Sequence, residues 1–396
     1  AAPDFEEASQ QVWLQFEGVN ASAKVILNGT EVCVHDGGYS TFRANITTLL
    51  REENILTVEV DNRVNDHVYP QKADFTFYGG IYRDVSLLVV HKDHIALGHY
   101  GDTGVKVTPT LCKDHTADIR VETCLEGEGT VRVTLNDAEG NTVAAAEGKD
   151  VTMTLAHPHL WDGVKDPYLY TCVVELEQGG EVVDTVSTRV GIRSFRVDPK
   201  NGRPYPLHGV SRHQDRKGLG NAISREMHDE DMTLIRELGA NTIRLAHYQH
   251  DQYFYDLCDE YGMVVWAEIP YISEHLPNGR QNTIDQMEEL IYQNYNHPCI
   301  VCWGVSNEIT ISTKDKADML DNHHMLNDLC HKMDPTRLTT LACYAMCGPF
   351  NPVAHITDLV SWNLYLGWYV PGLFLNDLWL NFFHLVYPNR ALGFSE

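Results

Sequence analysis

The sequence lacks a long hydrophobic run, an excess of basic residues and a compact set of cysteines, and each absence excludes a class of protein. No apolar stretch reaches about 18 residues, which argues against a transmembrane helix. Thirty basic residues against 55 acidic ones give a formal net charge of −25, which disfavours nucleic-acid binding and favours a neutral partner. We therefore expect a soluble protein that binds neither membranes nor nucleic acids.

Ten cysteines are scattered over 396 residues, without the spacing of a small secreted disulfide scaffold. They suit a reducing compartment, so we expect a cytoplasmic location. Cys299 and Cys302 form a CxxC pattern inside an apolar strand candidate, where residues three apart face opposite sides, so core packing is the better interpretation. The first ten residues do not resemble a signal peptide, although an earlier leader stays open.

The first half of the chain predicts β-structure. From Gln11 to Val90 it alternates short strand-like segments with turns, and Asn28-Gly29 is a strong hairpin signal. A second β-rich stretch places strands about every 10 residues, which is typical of an immunoglobulin-like sandwich. No helix is predicted before about residue 220.

Beyond Arg193 the pattern changes to alternating strands and helices. The strand candidates are 204–213, 240–248, 263–270, 300–308, 337–344, 359–365 and 391–396, and the amphipathic helix candidates are 224–239, 251–262, 282–296 and 318–334. Repeated βα units predict a parallel barrel, which has eight strands where we count seven. We predict three domains, 1–90, 91–194 and 195–396, and expect the last to be incomplete.

Two glutamates follow apolar strand candidates of this barrel. Glu308 ends the run IVCWGVSNE, and Glu396 ends the run LGFSE. Residues at the carboxyl ends of barrel strands face the active site. A retaining glycosidase needs a carboxylic acid and a carboxylate about 5–5.5 Å apart. The fourth and seventh strands lie nearly opposite each other, so we expect the two glutamates to meet, although a salt bridge or a loop cap is the alternative for either one alone.

These segments resemble glycoside hydrolase family 2, whose members include β-galactosidases, β-glucuronidases and β-mannosidases. The barrel motifs are GVSRHQD, IRLAHYQHDQYFYDLCDEYGMVVWAEIP, NHPCIVCWGVSNE and LGFSE. Upstream, FEGVNASAKVILNG, GGYSTFRANIT and FYGGIYRDV are similar to the family's sugar-binding jelly roll, and LWDGVKDPYLYTCVVEL with GIRSF is similar to its sandwich domain. The resemblance implies a jelly roll, an immunoglobulin-like β-sandwich and a TIM barrel truncated after its seventh strand.

The resemblance also implies roles for individual residues. Glu308 would be the general acid/base, Glu396 the nucleophile, and Asn307 would hold the sugar 2-hydroxyl. His213 and His247 end the first two barrel strands and resemble histidines of the galactosyl pocket. The alternative is that each histidine is buried and bonded to the backbone.

Three further residues are candidates for substrate binding at the sixth strand. Asn363 and Tyr365 end that strand, where a tyrosine hydroxyl would orient a carboxylate nucleophile. Trp368 is a candidate wall of the sugar site, with core packing as the alternative. In the first domain, the family's matching Asp implies that Asp74 reaches into the barrel mouth, whereas its alternative role is a turn former.

The magnesium ligands of some family β-galactosidases are not matched. Ile272 stands at the position of the ligand Glu, and Glu274 and His275 are displaced. The visible residues therefore require no cofactor, and a magnesium ion stays open. Glu268 is expected to support the pocket through hydrogen bonds, and His323, on a charged helix, is predicted to be solvated.

The sequence first predicts an exo-acting β-galactosidase that works by double displacement, because His213 and His247 favour galactose. A β-glucuronidase is the closest alternative, since NLYLGWY resembles that branch and the family's deciding Asn-x-Lys pair lies beyond Glu396. A third hypothesis is that a chain ending at Glu396 is an inactive carbohydrate-binding piece. Linkage preference stays open, as does homo-oligomerisation.

Overall fold

The computed structural model describes residues 3–197 and 205–396, and its first domain is all-β. Two three-stranded antiparallel sheets, β5-β1-β8 and β4-β3-β6, enclose an apolar core. Asn28 and Gly29 both have positive φ and connect paired strands, which confirms the predicted hairpin. The strands are β1 (Gln10–Phe16), β2 (Val19–Asn20), β3 (Ser22–Leu27), β4 (Thr30–Asp36), β5 (Phe42–Asn45), β6 (Leu56–Asp61), β7 (Gly80–Ile81) and β8 (Val85–His91).

The second domain is an antiparallel sandwich. Its larger sheets have the orders β10-β11-β15 and β14-β13-β18-β19, and their facing apolar residues form a separate core. The strands are β9 (His94–Ile95), β10 (Val105–Leu111), β11 (Thr116–Thr123), β12 (Leu125–Glu126), β13 (Thr130–Asn136), β14 (Thr142–Glu147), β15 (Asp150–Ala156), β16 (Trp161–Asp162), β17 (Asp166–Pro167), β18 (Tyr170–Gln178) and β19 (Glu181–Val190).

The third domain contains one parallel sheet of seven strands in chain order, which are seven of the eight strands of a TIM barrel. The strands are β20 (Gly209–Arg212), β21 (Thr242–Leu245), β22 (Val264–Glu268), β23 (Ile300–Asn307), β24 (Leu338–Tyr344), β25 (Val360–Asn363) and β26 (Leu392–Phe394). The helices are α1 (Arg225–Glu237), α2 (Gln252–Tyr261), α3 (Arg280–Asn294), α4 (Lys316–Met333) and α5 (Phe374–Val386).

The seven strand predictions and four helix predictions correspond to these elements, with two corrections. The sequence analysis missed α5, which is mostly apolar, has Asp377 as its single acidic residue and buries only Phe383 fully. The prediction that His323 is solvated was wrong. Its side chain is buried, with Nε2 2.7 Å from the Ser306 hydroxyl and Nδ1 2.7 Å from the Met319 carbonyl.

The first domain is fastened to the barrel by side chains that approach α3. The Tyr69 hydroxyl accepts a hydrogen bond from the Leu276 amide at 2.6 Å, and the Tyr69 amide donates to Asn282 at 2.9 Å. His35 Nε2 lies 2.7 Å from Glu289 on the same helix. The bonds of Tyr69 fix the loop between β6 and β7 against the barrel, and the bond of His35 attaches β4 to α3.

The second domain contacts the barrel through the turn after α3. The Val107 amide donates to the Asn296 side chain at 2.8 Å, and Asn296 in turn donates to the Val105 carbonyl at 2.8 Å.

In the described part of the chain, no helix combines the length and the apolar character needed to cross a bilayer.

Candidate active site

The two glutamates predicted as catalytic lie at the same end of the barrel. Glu308 directly follows β23, and Glu396 stands two residues after β26. Asn363 connects Glu308 to the residue before Glu396, because its Nδ2 donates to Glu308 at 3.0 Å and its Oδ1 accepts from the Ser395 hydroxyl at 2.5 Å. The structure therefore brings together side chains that are 88 positions apart in the sequence.

Glu396 is held by positively polarised donors on both carboxylate oxygens. Arg244 Nη1 donates to Oε1 at 2.7 Å, and the Tyr365 hydroxyl donates to Oε2. His247 Nε2 lies 3.6 Å from Oε1. The pKa of Tyr365 is raised by burial and by its bond to the Glu396 carboxylate, so the hydroxyl remains a donor. Both oxygens of the Glu396 carboxylate are therefore held in place by hydrogen-bond donors from neighbouring strands and loops.

Glu308 has a different environment. Its backbone is in the left-handed region, with φ of 47°, and its amide donates to the Ala342 carbonyl at 2.8 Å. No salt bridge involves Glu308 within residues 3–197 and 205–396. Burial raises the pKa of Glu308, as do the negative charges of Glu396 and Asp74, while the bond from Asn363 opposes this shift. A carboxyl group with a raised pKa is suited to donate a proton.

Asn307 is buried beside these two groups. Its Oδ1 accepts a bond of 2.7 Å from Arg244 Nη2 and one of 3.3 Å from Asn363 Nδ2. Its exposed fraction is 4%, and that of Asn363 is 0%. Both amides are therefore fixed by protein partners: Asn363 donates to Glu308, and Asn307 accepts from the arginine that also donates to Glu396.

Arg244 and Glu268 form the centre of the site, and the sequence analysis did not predict the role of Arg244. Glu268 Oε2 accepts from Arg244 Nε at 3.1 Å, and Glu268 Oε1 accepts from Arg244 Nη2 at 2.9 Å. The side chains are 4% and 1% exposed. The prediction that Glu268 supports the pocket through hydrogen bonds agrees with this geometry. The available signal for Arg244 was its position on β21, where alternate residues face the barrel interior.

The two predicted histidines lie next to each other, with ring centroids 5.1 Å apart. His247 Nδ1 is 2.8 Å from Glu268 Oε1, so this ring is oriented by a carboxylate rather than by the backbone. His213 Nδ1 lies 3.4 Å from the Tyr248 hydroxyl, and burial lowers the pKa of His213. Both rings line the site, but the surrounding protein explains the orientation of His247 without any sugar.

The loop between β6 and β7 carries Asp74 from the first domain to the barrel mouth. Asp74 is exposed, and its charge contributes to the raised pKa of both Glu308 and Tyr365. The next residue, Phe75, stacks on His247 with ring centroids 5.6 Å apart and approaches His213 at 4.9 Å. The first domain therefore contributes part of the pocket wall.

Trp368 lies on the loop after β25 and is 80% exposed, so the core-packing alternative is wrong. Its ring contacts Tyr369, with centroids 6.4 Å apart, and Tyr369 in turn contacts Tyr365 at 5.1 Å. Trp368 is thus connected to Glu396 through the rings of Tyr369 and Tyr365.

The displaced magnesium motif has a different role in this structure. His275 Nδ1 is 2.6 Å from the Tyr271 hydroxyl, and Nε2 is 2.5 Å from Asp318, so both ring nitrogens have protein partners. A separate group of potential metal ligands, Asp259, His297 and Cys299, lies at the amino end of β23. Its Asp oxygens already bond His297 at 2.6 Å and the Cys299 amide at 3.0 Å.

Three family models match successive parts of the chain. The model described as "Glycosyl hydrolases family 2, sugar binding domain" matches residues 4–91, and "Glycosyl hydrolases family 2" matches residues 102–193. The model "Glycosyl hydrolases family 2, TIM barrel domain" matches residues 199–387.

Individual relatives carry two different activity names. A β-glucuronidase of Bacteroides fragilis is 35% identical over 99% of this chain and 60% of its own length. A β-galactosidase of Thermoanaerobacter pseudethanolicus is 31% identical over 83% of this chain and 46% of its own length. The chain thus spans about 60% or less of these curated relatives.

Among solved structures, an FMN-binding β-glucuronidase from Facaelibacterium prausnitzii L2-6 superposes with a TM-score of 0.96. It is 42% identical, and the match covers 100% of this chain and 63% of that one.

Proposed function

The chain belongs to glycoside hydrolase family 2, and from this premise we propose that it hydrolyses terminal, non-reducing β-D-glucuronides with retention of configuration. The observation that carries the chemistry is the contrast between the two glutamates. Arg244 and Tyr365 donate hydrogen bonds to Glu396, whereas burial and neighbouring negative charge raise the pKa of Glu308. This division supplies the two carboxyl groups that a retaining glycosidase needs.

In the first step, the Glu308 carboxylic acid donates its proton to the glycosidic oxygen while a Glu396 oxygen attacks the anomeric carbon. The bond from that carbon to the aglycone breaks, and the sugar becomes covalently attached to Glu396. In the second step, the Glu308 carboxylate removes a proton from water as the water oxygen attacks the anomeric carbon. The bond to Glu396 breaks, which restores both groups and the original anomeric configuration.

The preference for a glucuronide revises the galactoside prediction. That prediction rested on His213 and His247, and the bond from His247 to Glu268 accounts for the latter without reference to galactose. Two relatives that align over nearly the whole chain support the glucuronide, because the one from Bacteroides fragilis and the structure with a TM-score of 0.96 are both named β-glucuronidases. A β-galactosidase is the second candidate, since a relative of that name is 31% identical.

Asp74 and its domain complete the site in this proposal. The loop that carries Asp74 is anchored at Tyr69 and places Phe75 against both pocket histidines. Asp74 would bind a sugar hydroxyl, so residues 1–90 contribute to catalysis rather than forming a separate binding module.

The ten cysteines, all free in the described chain, support a reducing compartment such as the cytoplasm.

The substrate assignment is tested with nitrophenyl β-D-glucuronide and nitrophenyl β-D-galactoside, which share a leaving group and differ only in the sugar. The enzyme expressed from its complete reading frame should show a kcat/KM for the glucuronide at least about 100-fold higher than for the galactoside. A ratio that favours the galactoside would replace the first candidate with the second. Hydrolysis of neither substrate would reject the proposed function.

A further inference from the structure

Glu268 is a buried carboxylate that takes no direct part in the two steps described above. It is the last residue of β22, and its exposed fraction is 0%. Burying an unpaired charge is costly, so an ionised group in this position needs partners. It has three close contacts, two from Arg244 and one from His247, with distances of 2.8 to 3.1 Å.

Arg244 serves two carboxylates at once. Its Nε and Nη2 donate to Glu268, its Nη1 donates to Glu396 at 2.7 Å, and Nη2 also reaches Asn307. One positive charge therefore lies between two negative charges, and the side chains of Arg244 and Glu268 are both buried. The planar five-donor guanidinium makes this possible, whereas a lysine ammonium could not reach both groups with the same geometry.

The surrounding strands are built to hold this arrangement. The Arg244 guanidinium stacks on the Trp266 ring at 4.7 Å from its centroid. Gly304 on β23 is required for the close approach, because a Cβ there would lie 2.2 Å from Trp266 Nε1 and 2.6 Å from the Glu268 Cβ. Three adjacent strands thus fix Glu268 and Arg244 beside the nucleophile.

Burial alone would raise the pKa of Glu268, but the charge of Arg244 and the bond from His247 outweigh it, so the pKa is lowered and the group is ionised. If Arg244 had Glu396 as its sole carboxylate partner, it would stabilise the anionic nucleophile more strongly. A more stabilised carboxylate is a weaker base and a weaker nucleophile.

We propose that Glu268 is a positioning residue that divides the charge of Arg244 between itself and Glu396, and thereby keeps the nucleophile reactive. Through its bond to Nδ1, it also orients the His247 ring so that Nε2 faces Glu396. This inference rests on the proposed function, because it assigns Glu396 as the nucleophile. Besides Arg244 and His247, the described titratable groups that interact with one of these two carboxylates are His213, Cys302, Glu308 and Tyr365, and Asp74 in turn acts on Glu308 and Tyr365.

The test measures kcat/KM against pH for Glu268→Gln, which removes the charge and preserves the shape. Activity requires ionised Glu396 at the acid limb of the profile and protonated Glu308 at the alkaline limb. Without the Glu268 charge, Glu396 is the one carboxylate that Arg244 stabilises, and a negative charge near Glu308 is lost. Both limbs of the profile should therefore move to lower pH, by about one unit. The maximal rate should fall by about 10- to 100-fold, as when other orienting partners are removed.

A second variant, Glu268→Asp, keeps the charge but retracts it from Arg244. It should shift the acid limb in the same direction by a smaller amount, and it decides the question if Glu268→Gln fails to fold. Glu274→Gln, which removes a carboxylate six residues further along the chain, is the matched control and should leave both limbs unchanged.

A merely structural salt bridge predicts a lower rate with unmoved limbs in both Glu268 variants, and that result would overturn the inference. Failure of the proposed function is distinguishable, because the unmodified enzyme would then hydrolyse neither substrate and would yield no profile. An active unmodified enzyme with unmoved limbs in the variants rejects only the role of Glu268.

Discussion

The two sides of the barrel mouth each hold a glutamate, but they give its carboxyl group different hydrogen-bond partners. On one side, Glu396 receives a cation and a phenolic donor; on the other, the one side-chain hydrogen bond of Glu308 within the described residues comes from the neutral amide of Asn363. Both carboxyl groups stand at the ends of parallel strands, so strand position does not distinguish them. The difference shows that two carboxyl groups at equivalent strand ends acquire different partners from the side chains of neighbouring strands, above all from the buried Arg244.

The largest effect should come from Glu308→Gln, which removes the acid from the less charged side. With a poor leaving group, such as an alkyl glucuronide, the rate should fall by about 10²- to 10⁴-fold, because the departing oxygen loses its proton donor. Nitrophenolate leaves without this help, so its release in a pre-steady-state burst should change much less. Equal losses on the two substrates, measured side by side, would contradict the acid role.

Asp74→Asn tests how much the first domain contributes to the difference between the two glutamates. Asp74 raises the pKa of Glu308, so its neutralisation lowers that pKa, and the protonated acid is lost at lower pH as the pH rises. The alkaline limb of kcat/KM should therefore move to lower pH, and losing a charged hydrogen bond to the sugar should reduce kcat/KM about 10-fold or more. Asp84→Asn, in the same domain, is the control and should change neither quantity. An unmoved alkaline limb in Asp74→Asn would remove Asp74 from the site.

The smallest effect is expected for Trp368→Ala. Because Trp368 is 80% exposed, the free energy of unfolding should change by no more than about 0.5 kcal/mol in a denaturant titration. The buried Trp362→Ala is the matched comparison and should cost about 3–5 kcal/mol. If Trp368 forms a wall of the sugar site, KM should rise by a few-fold with little change in kcat. A KM equal to that of the unmodified enzyme would place Trp368 outside the site.

The sequence predicted the parts of the fold that depend on local patterns. Seven apolar runs marked the barrel strands, and Asn28-Gly29 marked a hairpin, because each signal lies within a few neighbouring residues. Helix α5 was missed because it is mostly apolar and has few of the charged residues that mark the exposed faces of the other four helices. The prediction that His323 is solvated failed because its helix is rich in charged residues, whereas His323 itself lies on the buried face of that helix, against Ser306.

The sequence predicts those site residues that lie at the carboxyl ends of the barrel strands. Glu308, Glu396, Asn307, Asn363 and Tyr365 all stand at or just after such ends, and the structure brings them together. The bonds from Arg244 to Glu268 and Glu396 could not be predicted, because they depend on the register of three strands distant in sequence. The register of neighbouring strands decides which side chains inside the barrel lie next to one another.

The most direct test of the account traps the covalent intermediate. A 2-deoxy-2-fluoro glycosyl fluoride of the preferred sugar slows both steps but retains a good leaving group, so the glycosyl-enzyme should accumulate. After proteolysis, mass spectrometry should find one sugar attached to Glu396, and Glu308→Gln should still be labelled at the same residue. Attachment of the sugar to Glu308 or to any other residue would contradict the assignment of the two carboxyl groups.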